Sequence, residues 1–202
     1  MKNPIIKNAL ILFAVALVAG VLLGTVYEVT KAPIAAAELE RKQEAYKKVF
    51  SEASDYKKDD TFDESKAASF MSENGYKDDI SEVVNVIGSD GSQIGYILDV
   101  TSHEGYGGDI EFQMGIKNDG SVTGIELLSI SETAGLGMQA TNASFRNQYV
   151  GKQVSEFTVT KTGSTQDSEI NALSGATITS KAMTNGVNSG LAYYKEVLGG
   201  AK

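Results

Sequence analysis

Three glycine-rich stretches hold most of the residues in this chain that could do chemistry. Ser174-Gly175-Ala176-Thr177-Ile178-Thr179-Ser180 sets hydroxyls beside two small residues, where the last helix is expected to begin. Upstream lie His103-Glu104-Gly105-Tyr106-Gly107-Gly108 and Glu132-Thr133-Ala134-Gly135-Leu136-Gly137. Gly175 and Ala176 leave the Thr177 hydroxyl open to a bulky reagent. The free N–H groups and partial positive charge of a helix N-terminus suit a phosphate. A phosphodiester on Thr177 would keep one negative charge where that field favours it. A plainer reading stands beside this one. Ser and Thr commonly cap helices, so Thr177 or Thr179 would be an N-cap and the glycines ordinary turn residues. The residues alone leave both open. None of the three stretches fits the dinucleotide-binding or phosphate-loop glycine patterns.

Composition narrows the chemistry. The 202 residues suffice for one well-cored domain and an accessory segment. A net charge of −8 argues against nucleic-acid binding, which needs a basic face. The sequence has no cysteine, which removes iron–sulfur ligation, thiolate zinc, thiol catalysis and disulfides together. Its single histidine, His103, removes bis-histidine haem and three-histidine metal sites. Redox chemistry on this chain therefore needs an organic cofactor.

The elements that must position these loops begin at a membrane. Residues 9–27 are a 19-residue run without a charge, about 28 Å as a helix and close to the thickness of a bilayer core. The run is long for a cleaved signal and reads as an uncleaved anchor. Lys2, Lys7 and the amino terminus precede it, so residues 1–8 are expected in the cytoplasm and the main domain outside, in the cell (inner) membrane. Gly20-x-x-x-Gly24 permits close packing against another helix.

Residues 28–80 read as a helical stem and lead-in. Pro33 suits a first helical turn, and Leu39, Tyr46, Val49, Phe50 and Ala53 follow at helical spacing. The charges from Asp55 to Asp60 end that helix, and Thr61-Phe62-Asp63-Glu64 reads as a capping box opening a second, with Gly75 at its stop. From Ser81 the period becomes two. Val84, Val86, Ile94, Tyr96, Leu98 and Val100 suggest two strands around a turn at Ser89-Asp90-Gly91. Ile110, Phe112, Met114 and Ile116 form a third, and Asn118-Asp119-Gly120 turns it into a fourth through Ile125, Leu127 and Ser129. A short helix over 142–149, a strand over 157–159 and a final helix over 178–198 complete the chain. That helix has Ile178, Ala182, Met183, Gly186, Val187, Gly190, Leu191, Tyr194 and Leu198 inward. The expected class is α+β: an antiparallel sheet with flanking helices after one N-terminal transmembrane helix.

The Ser-Gly-Ala-Thr run, with Gly-Tyr-Gly-Gly and Glu-Thr-x-Gly-Leu-Gly upstream in that order, resembles the covalent FMN-binding domain. That domain occurs in the G subunit of the Rnf electron-transport complex and the C subunit of the sodium-pumping NADH:quinone reductase. The motifs lie within about residues 100–198 of the expected domain over 81–202, and the size and Ala134-Gly135-Leu136-Gly137 are closer to the Rnf protein. The resemblance implies FMN, transferred from FAD by a flavin transferase and joined through its phosphate to Thr177. It also implies that the chain relays electrons beside other membrane subunits, in a complex coupling ferredoxin:NAD electron transfer to Na⁺ or H⁺ movement, without catalysis of its own. Ser174, Gly175, Ala176 and Thr179 would shape the phosphate site. Glu132, Thr133, Gly135, Leu136 and Gly137 would wall the ring, with Tyr106 and Gly107 beside it. Two departures stand out: Asn171 occupies a position usually held by Asp, and Ile130-Ser131-Glu132-Thr133-Ala134 replaces a His-x-Glu-Thr-Pro run. The alternatives are the C-type flavin protein of the quinone-reducing complex and a flavin-free anchored binding domain. The last would be colourless.

Overall fold

A computed structural model of the chain describes residues 4–200. Lys2 and the amino terminus, on which the expected orientation partly rests, lie outside the described residues. The chain divides into two compact units, Met1–Lys42 and Gln43–Lys202.

The first unit is helical. Helix α1 runs from Pro4 to Val49 without a break, so Pro33 sits inside a 46-residue helix and does not open a new one. Proline at that position removes one backbone donor, but the regular turns on both sides carry the helix through. The helix contains a stretch long and apolar enough to cross a membrane, and its Leu, Ile, Val and Phe side chains from Ile5 to Val29 are exposed. Within this apolar helix the Thr25 and Thr30 hydroxyls donate to the carbonyls of Val21 and Val26, four residues back, at 2.8 Å. Lys31 stands over the Tyr27 ring, 5.9 Å from its centroid.

The second unit is built on a five-stranded antiparallel sheet. Its strands are β1 (Asp55–Lys58), β2 (Asp78–Ile87), β3 (Gln93–Ser102), β4 (Ile110–Lys117) and β5 (Val122–Ile130), in that spatial order. The two-residue periodicity and the Asp-Gly turns dictate β2 to β5. The charged stretch expected to be a break instead begins with β1, an edge strand paired antiparallel with β2 from Asp55↔Ile87 to Lys58↔Val84. Helix α2 (Glu64–Glu73) is capped by Asp63, whose carboxylate accepts from the Ser65 and Lys66 N–H groups, and Thr61 takes no part in that cap.

After the sheet come a 3-10 helix (Gly137–Thr141), the short α3 (Ala143–Arg146) and β6 (Thr158–Thr160). Strand β7 (Glu169–Asn171), which has no hydrophobic period to announce it, pairs parallel with β6. Helix α4 (Thr177–Glu196) closes the fold. Its Ala182, Met183, Val187 and Leu191 are fully buried in one core with Leu98, Val100, Phe112, Met114 and Ile116. Gly186 and Gly190 let the helix settle on the sheet: a Cβ on Gly186 would lie 3.0 Å from the Phe112 ring, and one on Gly190 would overlap the Met114 sulfur. Ile178 departs from the expected inner face and is 52% exposed.

On the other face of the sheet, Val49 and Phe50 pack with Val84, Val86 and Ile97. Gly115 and Gly124 are cross-strand partners there. A Cβ on either would lie 2.9 Å from the Val49 carbonyl oxygen.

Candidate functional site

In an antiparallel sheet β3 and β5 run the same way, so the loops that follow them leave from the same end. The N-terminus of α4 arrives at that end too. This topology brings the three glycine-rich stretches together around a cleft of about 540 Å³, lined by Tyr106, Glu132, Thr133, Leu136, Gly137, Gly175, Ala176, Thr177, Ile178 and Thr179. That volume lies within the roughly 300–1,000 Å³ of small-molecule sites. Ser174, Gly107 and Gly135 are not among the lining residues.

Short local interactions shape each wall. The Glu132 carboxylate accepts the Tyr106 N–H at 2.7 Å, tying the loop after β3 to the loop after β5. Gly107 passes so close to the Ser131 carbonyl that a Cβ would overlap it. Gly137 is pressed between two cleft residues, since a Cβ there would lie 2.6 Å from both Glu132 Oε2 and Thr179 Oγ1. Gly175 has φ +72, a left-handed turn natural to glycine, and the position of its missing Cβ is 3.0 Å from Leu136 Cδ2.

The start of α4 departs from the capping alternative. Its N-cap is Ala176, and no side chain among the described residues caps it. Thr177 is the first helical residue, half-buried in the cleft wall, and Thr179 is 1% exposed against Gly137. The tight turn is held from inside the helix. Ser180 Oγ donates to the Ala176 carbonyl and accepts the Leu173 N–H, both at 2.9 Å. Ser180 is a buried hydroxyl to which the sequence pattern assigns no role. Ile178 leaves the inner face and stands in the cleft wall. Tyr106, Leu136 and Ile178 are 68%, 43% and 52% exposed and give the cleft an apolar rim. The helix N-terminus therefore offers unclaimed donors to an anion, with room and apolar surface alongside for a flat ring.

Beside the cleft, His103 closes the base of the loop that bears Tyr106. Its Nδ1 lies 2.9 Å from Asp109 and its Nε2 2.9 Å from Asp79. Hydrogen bonds to Asp109 and then Asp79 hold its pKa above the usual histidine value, against a smaller opposing effect of burial. Asn171 stands further off: its Oδ1 accepts the Ser164 N–H at 2.7 Å and its Nδ2 donates to Ser164 Oγ at 2.9 Å. Among the described residues no group of His, Cys, Asp and Glu could hold a metal ion.

Residues 105–192 match the model of the FMN-binding domain, and residues 1–49 match that of the RnfG N-terminal region. Over 197 residues the chain is 33% identical to the G subunit of the Na(+)-translocating ferredoxin:NAD(+) oxidoreductase complex of Acetobacterium woodii, covering 96% of this chain and 93% of that protein. The chain belongs to the family of G subunits of ion-translocating oxidoreductase complexes. A second member, the G subunit of the ion-translocating oxidoreductase complex of Methanosarcina acetivorans, is 29% identical over 95% of each chain. The fold is also that of the C subunit of the Na(+)-translocating NADH-quinone reductase from Parabacteroides distasonis. That solved structure superposes with a TM-score of 0.51 at 22% identity, covering 74% of this chain and 80% of the other. In this member of the G-subunit family, the motif order seen in the sequence thus corresponds to one cleft, to which residues 106, 132–133, 136–137 and 175–179 contribute.

Proposed function

We propose that this chain is a membrane-anchored flavoprotein subunit that relays electrons through FMN joined by a phosphoester to Thr177. It does so within a complex coupling ferredoxin:NAD electron transfer to Na⁺ or H⁺ translocation. The observation that carries this reading is the start of α4. A hydroxyl at the first helical residue opens into a cleft of cofactor size, and no side chain among the described residues claims the helix N–H groups. When bound, the flavin exchanges electrons singly or in pairs, and the protein places it and tunes it.

The residues fit the group. Thr177 supplies the attachment oxygen: a flavin transferase would cleave FAD between its phosphates, the Thr177 oxygen would take the FMN phosphoryl group, and AMP and the hydroxyl proton would leave. The N–H groups of the first turn receive the phosphate in a site shaped by Ser174, Gly175, Ala176 and Thr179, while Ser180 holds the turn. Leu136, Ile178 and Tyr106 offer apolar surface to the ring, Thr133 and Gly137 complete the wall, and Gly107 and Gly135 shape the loops behind it. Helix α1 anchors the chain through the bilayer, with residues 1–8 cytoplasmic and the flavin domain outside. A covalent link suits an extracytoplasmic domain, where a dissociated cofactor would be lost. Other membrane subunits of the complex supply the donor and acceptor.

The test is in-gel fluorescence under ultraviolet light after full denaturation, on wild type and Thr177→Ala, each made with and without the transferase. A band that needs the transferase and disappears in Thr177→Ala supports the reading. A dark wild-type band, with a transferase active on a control substrate, would reject it.

A further inference from the structure

Glu132 is the one carboxylate among the cleft residues, and among the described residues no lysine, arginine or histidine lines the cleft to neutralise it. The residue is 9% exposed, and its carboxylate is tethered by a hydrogen bond. Its Oε1 accepts the Tyr106 N–H at 2.7 Å. Its Oε2 lies beside the bare Cα of Gly137, on the side where Thr179 Oγ1 approaches, and no donor among the described residues is hydrogen-bonded to it. One oxygen thus serves the loop, and the second is left at the cleft wall.

We propose that Glu132 sets the reduction potential of the bound flavin, its fixed negative charge holding that potential down. This inference rests on the flavin reading. Each electron that enters the cofactor without a proton adds a negative charge to the cleft, and a carboxylate nearby in a partly desolvated wall opposes it. The glycine at position 137 belongs to the same device. Any larger residue would push the carboxylate away from the wall, so Gly137 keeps the charge where it acts. The consequence is a flavoprotein biased toward passing electrons on.

The experiment is an anaerobic redox titration of the flavin-loaded, detergent-solubilised chain, followed by absorbance, for wild type, Glu132→Gln and Thr133→Lys. Glu132→Gln keeps an oxygen for the Tyr106 N–H and removes the charge. Thr133→Lys leaves Glu132 in place and adds a compensating charge beside it. Both are expected to raise the reduced-to-oxidised ratio at a fixed poise by about tenfold or more, about 30 mV for a two-electron couple. Glu111→Gln, which removes a carboxylate of the same sheet outside the cleft, is expected to change the ratio less than about twofold. Denaturation-resistant fluorescence is recorded first on every sample. Absence of fluorescence from the wild type rejects the flavin reading itself. If Glu132→Gln does not take up flavin, Thr133→Lys decides alone. Loaded variants titrating with the wild type, or a Glu111→Gln shift as large as theirs, would overturn the proposal.

Discussion

The Val49 carbonyl at the end of α1 accepts the Thr123 hydroxyl at 2.5 Å, and Gly124, the next residue of β5, has no Cβ to hold the two apart. A Cβ on Gly124 would lie 2.8 Å from the Cα of Val49. The seam between the end of α1 and the sheet is thus a backbone-to-backbone contact with little slack. Gly124→Ala is expected to destabilise the domain by about 1–3 kcal/mol, because neither backbone segment can give way cheaply. Thermal unfolding of the detergent-solubilised chain should show a fall of several degrees. An unchanged midpoint would mean that the seam opens freely.

His103 makes the stability of the loop that carries Tyr106 depend on pH. Both ring nitrogens face carboxylate oxygens, an arrangement that needs the doubly protonated ring. Its folded pKa is raised. The added stability is therefore fully present below the ordinary histidine pKa and is lost as pH rises through the higher folded value. With the side chain 40% exposed, solvent screening keeps the contribution under about 1 kcal/mol. Denaturant unfolding of wild type and His103→Gln should show a gap between them that narrows across that interval as pH rises. A gap constant from mildly acidic to mildly alkaline pH would show that Asp79 and Asp109 lend the protonated ring no added stability.

Gly137→Ala tests the wall of the cleft. The new methyl group would meet Glu132 and Thr179 at 2.6 Å, so both side chains must move. The expected cost is about 1–3 kcal/mol of stability, and, where flavin is joined to Thr177 as proposed, an altered flavin absorption band. A loaded variant with an unaltered spectrum would remove Gly137 and Glu132 from the flavin's surroundings.

Asn171 separates folding from modification. An aspartate there could accept from both the Ser164 N–H and its hydroxyl, where asparagine now accepts one and donates to the other. Asn171→Asp is therefore expected to change stability by less than about 1 kcal/mol. If the transferase reads a carboxylate at this position, the fluorescent band will grow several-fold faster in a time course with limiting enzyme. Equal rates would show that it does not.

Much of the fold was legible because its signals are local. An uncharged run of bilayer length, the alternation through Ile110, Phe112, Met114 and Ile116, the Asn118-Asp119-Gly120 turn and the helical period from Ala182 to Leu198 each report on their own segment. Motif order, through the family resemblance, singles out Thr177 as the proposed attachment residue. Tertiary structure decided what non-local partners supply. Asp55-Tyr56-Lys57-Lys58 has no apolar stripe of its own and becomes a strand because β2 offers an open edge. Strand β7 exists for the same reason beside β6. Thr177 is left free of capping duty because the buried Ser180, three residues further on, holds the turn from within. Glu132 faces the cleft because the loop after β3 hands its carboxylate a backbone donor. Composition and period specify the long elements, and only the meeting of β3, β5 and α4 at one end of the sheet turns three glycine loops into one site.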